Sequence, residues 1–310
     1  MNTKESFKSG FVTIIGRPNV GKSTLINSMI GEKLTITADK QGTTRNKIHC
    51  ILTTDEAQII FLDTPGIMLK AKNKLNSTMK RTAYRTLREV DLIIFVIEPD
   101  MKIGQGDRAI LEALKNYELP IFLVINKVDK IKNNEILQVI ETYKDEVDFA
   151  EIIPLSAIRG ETEDLVLTIT KYLQAGPMYF PENMATDQPE RQIAAEFIRE
   201  KAIRNLKEEL PHSIAVEIMR MKERENEKLT RNKPSIIDID ATIYCERDSQ
   251  KGIIVGKGGE LLKKIGTQAR QDIEHMLDCK VNLQLYVKAK KDWRNSDTWL
   301  KNFGLSIDNN

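Results

Sequence analysis

Residues 16–23 read Gly16-Arg17-Pro18-Asn19-Val20-Gly21-Lys22-Ser23, with Thr24 next, and this stretch decides the fold of the first half of the chain. Glycine, four residues, glycine, lysine, serine is the spacing of a loop that wraps phosphate. The apolar run Phe11–Ile15 precedes it, and the pattern from Lys22 to Ile30 is that of a helix. A strand feeding such a loop into a helix points several backbone N–H groups, and the positive end of the helix dipole, at one anion. Lys22 is then expected at the β and γ phosphates, and the Ser23 hydroxyl at a Mg²⁺ ion.

Three further segments extend the reading. Asp63-Thr64-Pro65-Gly66 follows the apolar run Gln58–Leu62, so Asp63 is a candidate for Mg²⁺, directly or through water, and the Gly66 N–H for the γ-phosphate. Asn126-Lys127-Val128-Asp129 follows Ile121–Ile125. The Asp129 carboxylate can accept from both the ring N–H and the amino group of guanine, a donor pair that adenine lacks, and an unmatched base leaves buried polar groups unpaired. The stem of Lys127 is expected to pack over the purine with its ammonium in water, and Asn126 to brace the loop. Ser156-Ala157, after Glu151–Leu155, is expected to bring backbone amides near the guanine carbonyl.

The strands of this half are rich in Ile, Val and Phe and nearly continuously apolar, as strands covered on both faces are. The predicted architecture is α/β: a mostly parallel sheet between helices near 74–90, 105–116, 133–144 and 161–174. The four segments resemble the phosphate, Mg²⁺ and guanine motifs of the small GTPase-like family, in that family's order. The resemblance covers 11–173 and implies an N-terminal P-loop GTPase domain with GTP or GDP and Mg²⁺ as ligands. Among bacterial GTPases with a Gly-Thr-Thr-Arg switch, the matching segment here is Gly42-Thr43-Thr44-Arg45; Thr44 is implied as the Mg²⁺ ligand of the GTP state, with Thr43 second. Where many relatives carry a water-orienting glutamine this chain has Ile67, so water must be positioned by backbone, a cation or a partner. Asn19 resembles the potassium-coordinating asparagine of some relatives, or else braces its loop; a K⁺ there would supply the charge that an arginine finger supplies elsewhere. The implied catalytic set is Lys22, Thr44, Gly66 and Asn19.

Composition bounds the class. The chain has 310 residues, 41 % hydrophobic and 30 % charged, with a net charge of +2. That suits a two-domain soluble protein. No run nears the roughly 18 apolar residues of a membrane span, and the N-terminus lacks a secretory pattern. The three cysteines, Cys50, Cys245 and Cys279, lack metal-site spacing and fit a reducing compartment. His49, His212 and His275 are scattered and form no catalytic set. From Lys251 to Lys301 there are 11 Lys/Arg against 6 Asp/Glu, a local hint of an anionic partner.

The second half reads helix, strand, strand, Gly-rich turn, helix, strand. Ile193, Phe197, Ile203, Leu206 and Leu210 mark a helix face that Pro211 is expected to end. Strands are expected at Ser213–Met221, Ile236–Cys245 and Val281–Lys288. Gly252–Gly259 is read as a turn with Gly256-Lys257-Gly258-Gly259 at its core, opening a helix over Glu260–Met276. A Gly-x-x-Gly turn lets the chain come close to a nucleic-acid phosphate. Over about 190–291 this order resembles an α+β type II KH domain. The resemblance implies single-stranded RNA in a groove lined by Ile253, Ile254 and Val255, with Lys251, Lys257, Lys263 and Lys264 around it. The RNA-binding set is therefore Lys251, Ile254, Gly256, Lys257, Gly258, Gly259 and Lys263.

A GTPase domain (1–175), a linker (176–189), a KH domain (190–291) and a tail (292–310) together resemble the Era family. That resemblance implies a bacterial GTPase that binds small-subunit ribosomal RNA near its 3′ end and assists 30S assembly. It also implies a cytoplasmic monomer, with any membrane contact peripheral and at the inner face of the cell membrane. The competing reading is an RNA-binding module that nucleotide regulates and whose GTP turnover is incidental. A kinase or ATPase is disfavoured, because Asn126–Asp129 has no use if the base is adenine.

Overall fold

Strand β1 (Lys8–Ile15) lies at the centre of a six-stranded sheet. The other strands are β2 (Ile48–Thr53), β3 (Ala57–Asp63), β4 (Leu92–Ile97), β5 (Ile121–Ile125) and β6 (Glu151–Pro154), in the order β2-β3-β1-β4-β5-β6. In this sheet β2 runs antiparallel to its neighbour, and the other pairings are parallel. The computed structural model describes residues 6–38, 40, 42–66, 73–224 and 235–305. Ile67 lies outside them.

Among the described residues, five helices cover the sheet: α1 (Lys22–Ile30), α2 (Lys74–Thr86), α3 (Gln105–Leu114), α4 (Asn133–Tyr143) and α5 (Glu163–Tyr172). β3, β4 and β5 are buried at every position, which is why they show no alternation in sequence. One face packs Val12, Ile14, Phe61, Ile94, Phe122 and Val124 against α1 and α5. The other packs Ile15, Ile60, Phe95, Leu123 and Ile125 beneath Leu111, Val139 and Tyr143. Register does the rest. Ile14 pairs with Asp63, Ile15 with Phe95, Ile97 with Ile125, and Ile125 with Pro154. The carboxyl ends of β1, β3, β4, β5 and β6 therefore lie side by side, the usual ligand edge of a parallel sheet.

The described residues fall into two compact units. One runs to Asp187 but omits Ala38–Thr43; the other starts at Gln188 and takes in Ala38–Thr43. The stretch expected as a free linker is instead docked on the first unit as far as Asp187. Ala175 bridges to Lys8 and Thr186 to Cys50. The fully buried Gln58 amide donates to the Phe180 carbonyl at 2.8 Å and accepts from the Tyr179 and Phe180 N–H groups at 2.8 and 2.9 Å. His49 Nδ1 and Asp187 lie 2.6 Å apart. This strap covers the edge strand β2, whose unpaired backbone would otherwise invite association.

The second unit is α+β. Strands β7 (Ala215–Glu223), β8 (Ile236–Cys245) and β9 (Lys280–Ala289) form a sheet in that order, antiparallel then parallel. Helices α6 (Glu190–Asn205), α8 (Asp248–Val255) and α9 (Glu260–Leu277) pack on it, and α7 (Leu210–Ser213) is a single turn. Ile193, Phe197, Ile203, Leu206 and Leu210 are all buried as their spacing predicts. The first helix nevertheless ends at Asn205, ahead of Pro211, which sits inside α7. Gly252 is helical, so the expected eight-residue turn shrinks to Gly256–Gly259. The tail is built into this unit: Trp293 is fully buried, its indole N–H donates to the Ser213 carbonyl at 2.9 Å, and α10 (Asp297–Asn302) buries Leu300.

Candidate nucleotide and RNA sites

In the first unit the phosphate loop leaves β1 at Gly16 and enters α1 at Lys22. Gly21 has φ +101°, and a Cβ there would lie 2.2 Å from Asn126 Nδ2, so only glycine lets these two loops meet. Lys22 is buried under the loop, with Nζ donating to the carbonyls of Arg17 at 2.8 Å and Gly16 at 3.2 Å. Burial lowers its pKa to about 8, with Asp63 opposing the shift. Arg17 turns its side chain away to Asp100 and Asp107. The Val20 side chain lies in the core and its carbonyl accepts from Asn126, so Val20 offers a ligand neither. Pro18 is half-buried and Thr24 sits in the first turn of α1. Gly66 comes against the loop: a Cβ would lie 3.0 Å from Pro18 N and 3.2 Å from Lys22 Nζ.

Three oxygens converge beside Lys22. Ser23 Oγ is 3.1 Å from both Thr44 Oγ1 and Asp63 Oδ2, and Thr44 Oγ1 is 3.2 Å from Asp63 Oδ2. Asp63 Oδ1 is buried with no hydrogen-bond partner. Burial raises the Asp63 pKa to about 6, against the pull of Lys22, Ser23 and Thr44. An orphaned carboxylate oxygen among hydroxyls is a donor set of the hard, all-oxygen kind that Mg²⁺ takes. Thr43 points elsewhere, its hydroxyl donating to the carbonyls of Lys40 at 2.7 Å and Ala38 at 3.3 Å. Of the two threonines, only Thr44 joins this cluster.

The base-reading loops are tied to the phosphate loop. Asn126 is 2 % exposed; its Nδ2 donates to the Val20 carbonyl at 2.9 Å and its Oδ1 accepts from the Ala157 N–H at 3.0 Å. The Lys127 ammonium, expected in water, is anchored instead: it donates to the Asn19 carbonyl at 2.6 Å and pairs with Glu98. Asp129 is exposed and accepts from Ser156 Oγ at 2.6 Å, which holds its carboxyl below the usual range. The Ser156 and Ala157 amides, expected near the guanine carbonyl, already donate to Glu161 and Asn126, so a base must compete for them. Sequence reasoning missed Glu98 and Glu161, which no motif marks.

In the second unit Gly256, Gly258 and Gly259 all have positive φ, and a Cβ on Gly256 would come within 2.7 Å of Leu261. Lys257 and Lys263 are exposed, whereas Lys251 lies on α8 paired with Asp248 at 2.7 Å. Ile254 is a correction: it is fully buried in the core, because α8 continues through it, and it cannot line a groove. A groove of about 360 Å³ lies between α9 and β9. Its walls are Gly259, Leu262, Lys263, Gly266, Thr267, Arg270, Leu283 and Leu285. A Cβ on Gly266 would be 3.2 Å from Leu285 Cδ1, so this glycine sets how closely helix and strand approach. A glycine in mid-helix was the available signal for that wall.

Residues 11–127 match the family of 50S ribosome-binding GTPases, and residues 209–294 match the KH domain family. The chain is 52 % identical over 302 residues to the GTPase Era of Clostridioides difficile (strain 630), covering 97 % of this chain and 99 % of that one. The chain belongs to the Era family of GTPases. The GTPase Era of Clostridium kluyveri (strain ATCC 8527) is 51 % identical over 298 residues, 96 % of this chain and 99 % of the relative. A solved structure of Era with MgGDPNP and nucleotides 1506–1542 of 16S ribosomal RNA superposes with a TM-score of 0.90 at 41 % identity, covering 97 % of this chain and all of that one. A point variant of Aquifex aeolicus Era bound to GDP·AlF4⁻ gives 0.91 at 41 % identity over the same shares. Family, P-loop fold and KH domain agree with the loops described above: the protein binds and hydrolyses GTP with Mg²⁺.

Proposed function

We propose that GTP turnover times this protein's hold on small-subunit ribosomal RNA near its 3′ end, and that this serves 30S assembly. The observation that carries it is the presence in one chain of a phosphate loop with a guanine-type reader and, in the other unit, of a Gly-x-x-Gly groove walled by Lys263 and Arg270. A related Era binds 16S ribosomal RNA together with a GTP analogue. Ser23, Thr44 and Asp63 would hold Mg²⁺, which would supply positive charge against the β and γ phosphates. Lys22 meets the same phosphates, the Gly66 N–H faces the γ-phosphate, and Asp129 reads the guanine. Asn19, exposed at the rim of the loop with φ +70°, is our candidate for a K⁺ ligand. The protein acts as a cytoplasmic monomer whose membrane contact is at most peripheral.

If nucleotide and RNA are coupled, each must change the other's affinity by the same factor. Crosslinking the protein to cellular RNA in its GTP-analogue and GDP states tests this. We expect ribosomal RNA enriched with the analogue. Equal capture in both states would leave a GTPase whose KH domain is only an anchor, or whose target is something else. Phosphate release in KCl against NaCl at equal ionic strength tests Asn19, and equal rates would remove K⁺ from the account.

A further inference from the structure

We propose that Asp107, on α3, is a positioning residue for the phosphate loop and acts through Arg17. The proposal rests on the GTPase activity of the family and concerns how this chain holds its loop in shape. Arg17 is the second residue of the loop, yet its side chain lies across the N-terminal turn of α3. Its Nε donates to Asp107 Oδ1 at 2.9 Å and its Nη2 to Asp100 Oδ2 at 2.8 Å. A Cβ on Gly106 would come 2.7 Å from Arg17 Cδ and 2.9 Å from Cγ, so the arginine stem is pressed onto the helix and a side chain there would lift it.

The two acids differ in kind. Asp100 is half exposed, so its pair with Arg17 is a surface ion pair of small worth. Asp107 is fully buried, and its second oxygen accepts from the Tyr143 hydroxyl at 3.2 Å. Tyr143 is itself fully buried on α4. Burial pushes the Asp107 carboxyl up, and Arg17 and Tyr143 pull it back. An ion pair whose carboxylate is fully buried while its guanidinium is partly exposed gives little net stability compared with an apolar filling, so its value lies in fixing one geometry. What it fixes is close to the chemistry. The Arg17 carbonyl accepts from Lys22 Nζ at 2.8 Å, and the next residue, Pro18, is the one Gly66 packs against. The link Tyr143–Asp107–Arg17 therefore sets the height of the backbone that seats Lys22. Small displacements of a catalytic group cost rate steeply, up to roughly 100-fold per ångström.

The test is a double-mutant cycle in the full chain with Asp107→Asn, Arg17→Met and the pair together. Asparagine keeps the shape and an acceptor for Tyr143, and the double variant leaves no buried charge alone. For each we would measure kcat and KM for GTP, the Kd of a fluorescent GDP, and the melting temperature, with rates normalised to the nucleotide-binding fraction. We expect each single variant to lower kcat about tenfold with a smaller rise in the GDP Kd, and the double to be no slower than the worse single. If Asp107→Asn lowers only the melting temperature while kcat and Kd stay within twofold, the residue is structural and the proposal fails. Multiplicative losses in the double variant, about 100-fold, would also overturn it, because Asp107 would then not act through Arg17. If Asp107→Asn does not fold, Arg17→Met against Arg17→Met/Asp107→Asn decides: equal normalised kcat supports the link, and a further drop refutes it.

Discussion

Asn126→Ala is the sharpest probe of how the two halves of the nucleotide site hold together. The side chain is 2 % exposed and ties the phosphate loop to the loop after β6 through hydrogen bonds of 2.9 Å to the Val20 carbonyl and 3.0 Å from the Ala157 N–H. Alanine removes both and leaves a carbonyl and an N–H without these partners, each at a cost of about 1–3 kcal/mol if no water replaces them. Some of that cost falls on the fold itself. If about half falls on binding, because nucleotide is expected to engage both loops at once, that is about 1–3 kcal/mol, or a ~5- to 150-fold loss of affinity. Fluorescent-GDP titration reads the affinity, and a thermal melt of the nucleotide-free chain reads the fold. A GDP Kd within threefold of wild type would refute the idea that these loops are read as one site. A large fall in melting temperature with unchanged Kd would place Asn126 in the fold alone.

Asp129→Asn keeps the Ser156 contact in shape but turns an acceptor toward a donor; GTP affinity is expected to fall at least tenfold and xanthosine nucleotides to be preferred, as competition binding would show. Gly266→Leu puts a side chain into the α9–β9 groove; single-stranded RNA affinity by fluorescence anisotropy is expected to drop about tenfold or more while GDP affinity is unchanged, and retained RNA binding would move the RNA to another face. Hydrogen bonds from Arg224 and Asn282 lower the pKa of the Asp238 carboxyl to about 2. A carboxyl depressed in the folded state adds stability above its ordinary range that is lost as pH falls toward about 2, so Arg224→Ala should raise its NMR-titrated pKa and flatten that acid dependence.

What the sequence yielded, and what it withheld, follows from how far each signal travels along the chain. The phosphate loop, Asp63, Asn126 and Ser156 were legible because each sits at a strand end, and a parallel sheet brings strand ends together by register alone. The face of α6 was legible as apolar bulk that had to be buried. Helix α8 was not. Its Gly252, Ile253, Ile254 and Val255 carry weak helix propensity and look like a turn entry, yet the Gln250 side chain accepts from the Glu246 and Arg247 N–H groups at 3.0 Å and caps the start of the helix. Once that helix continues, Ile254 must face the core rather than RNA, and the groove moves to α9 and β9. The strap up to Asp187 was equally hidden. Its prolines and low charge suit a linker, and its partners, Gln58 among them, lie more than a hundred residues earlier. Gln58 is a polar residue in a strand that is otherwise apolar from Ile59 to Leu62, and a buried amide has to be satisfied on both its oxygen and its nitrogen. The same reasoning applies to Asp107. A carboxylate among Ile110, Leu111 and Leu114 on a buried helix face requires a cation from elsewhere in the chain, and Arg17 is the cation the fold delivers. Buried polar residues in apolar runs are thus the places where a sequence declares that a distant contact exists without saying with whom.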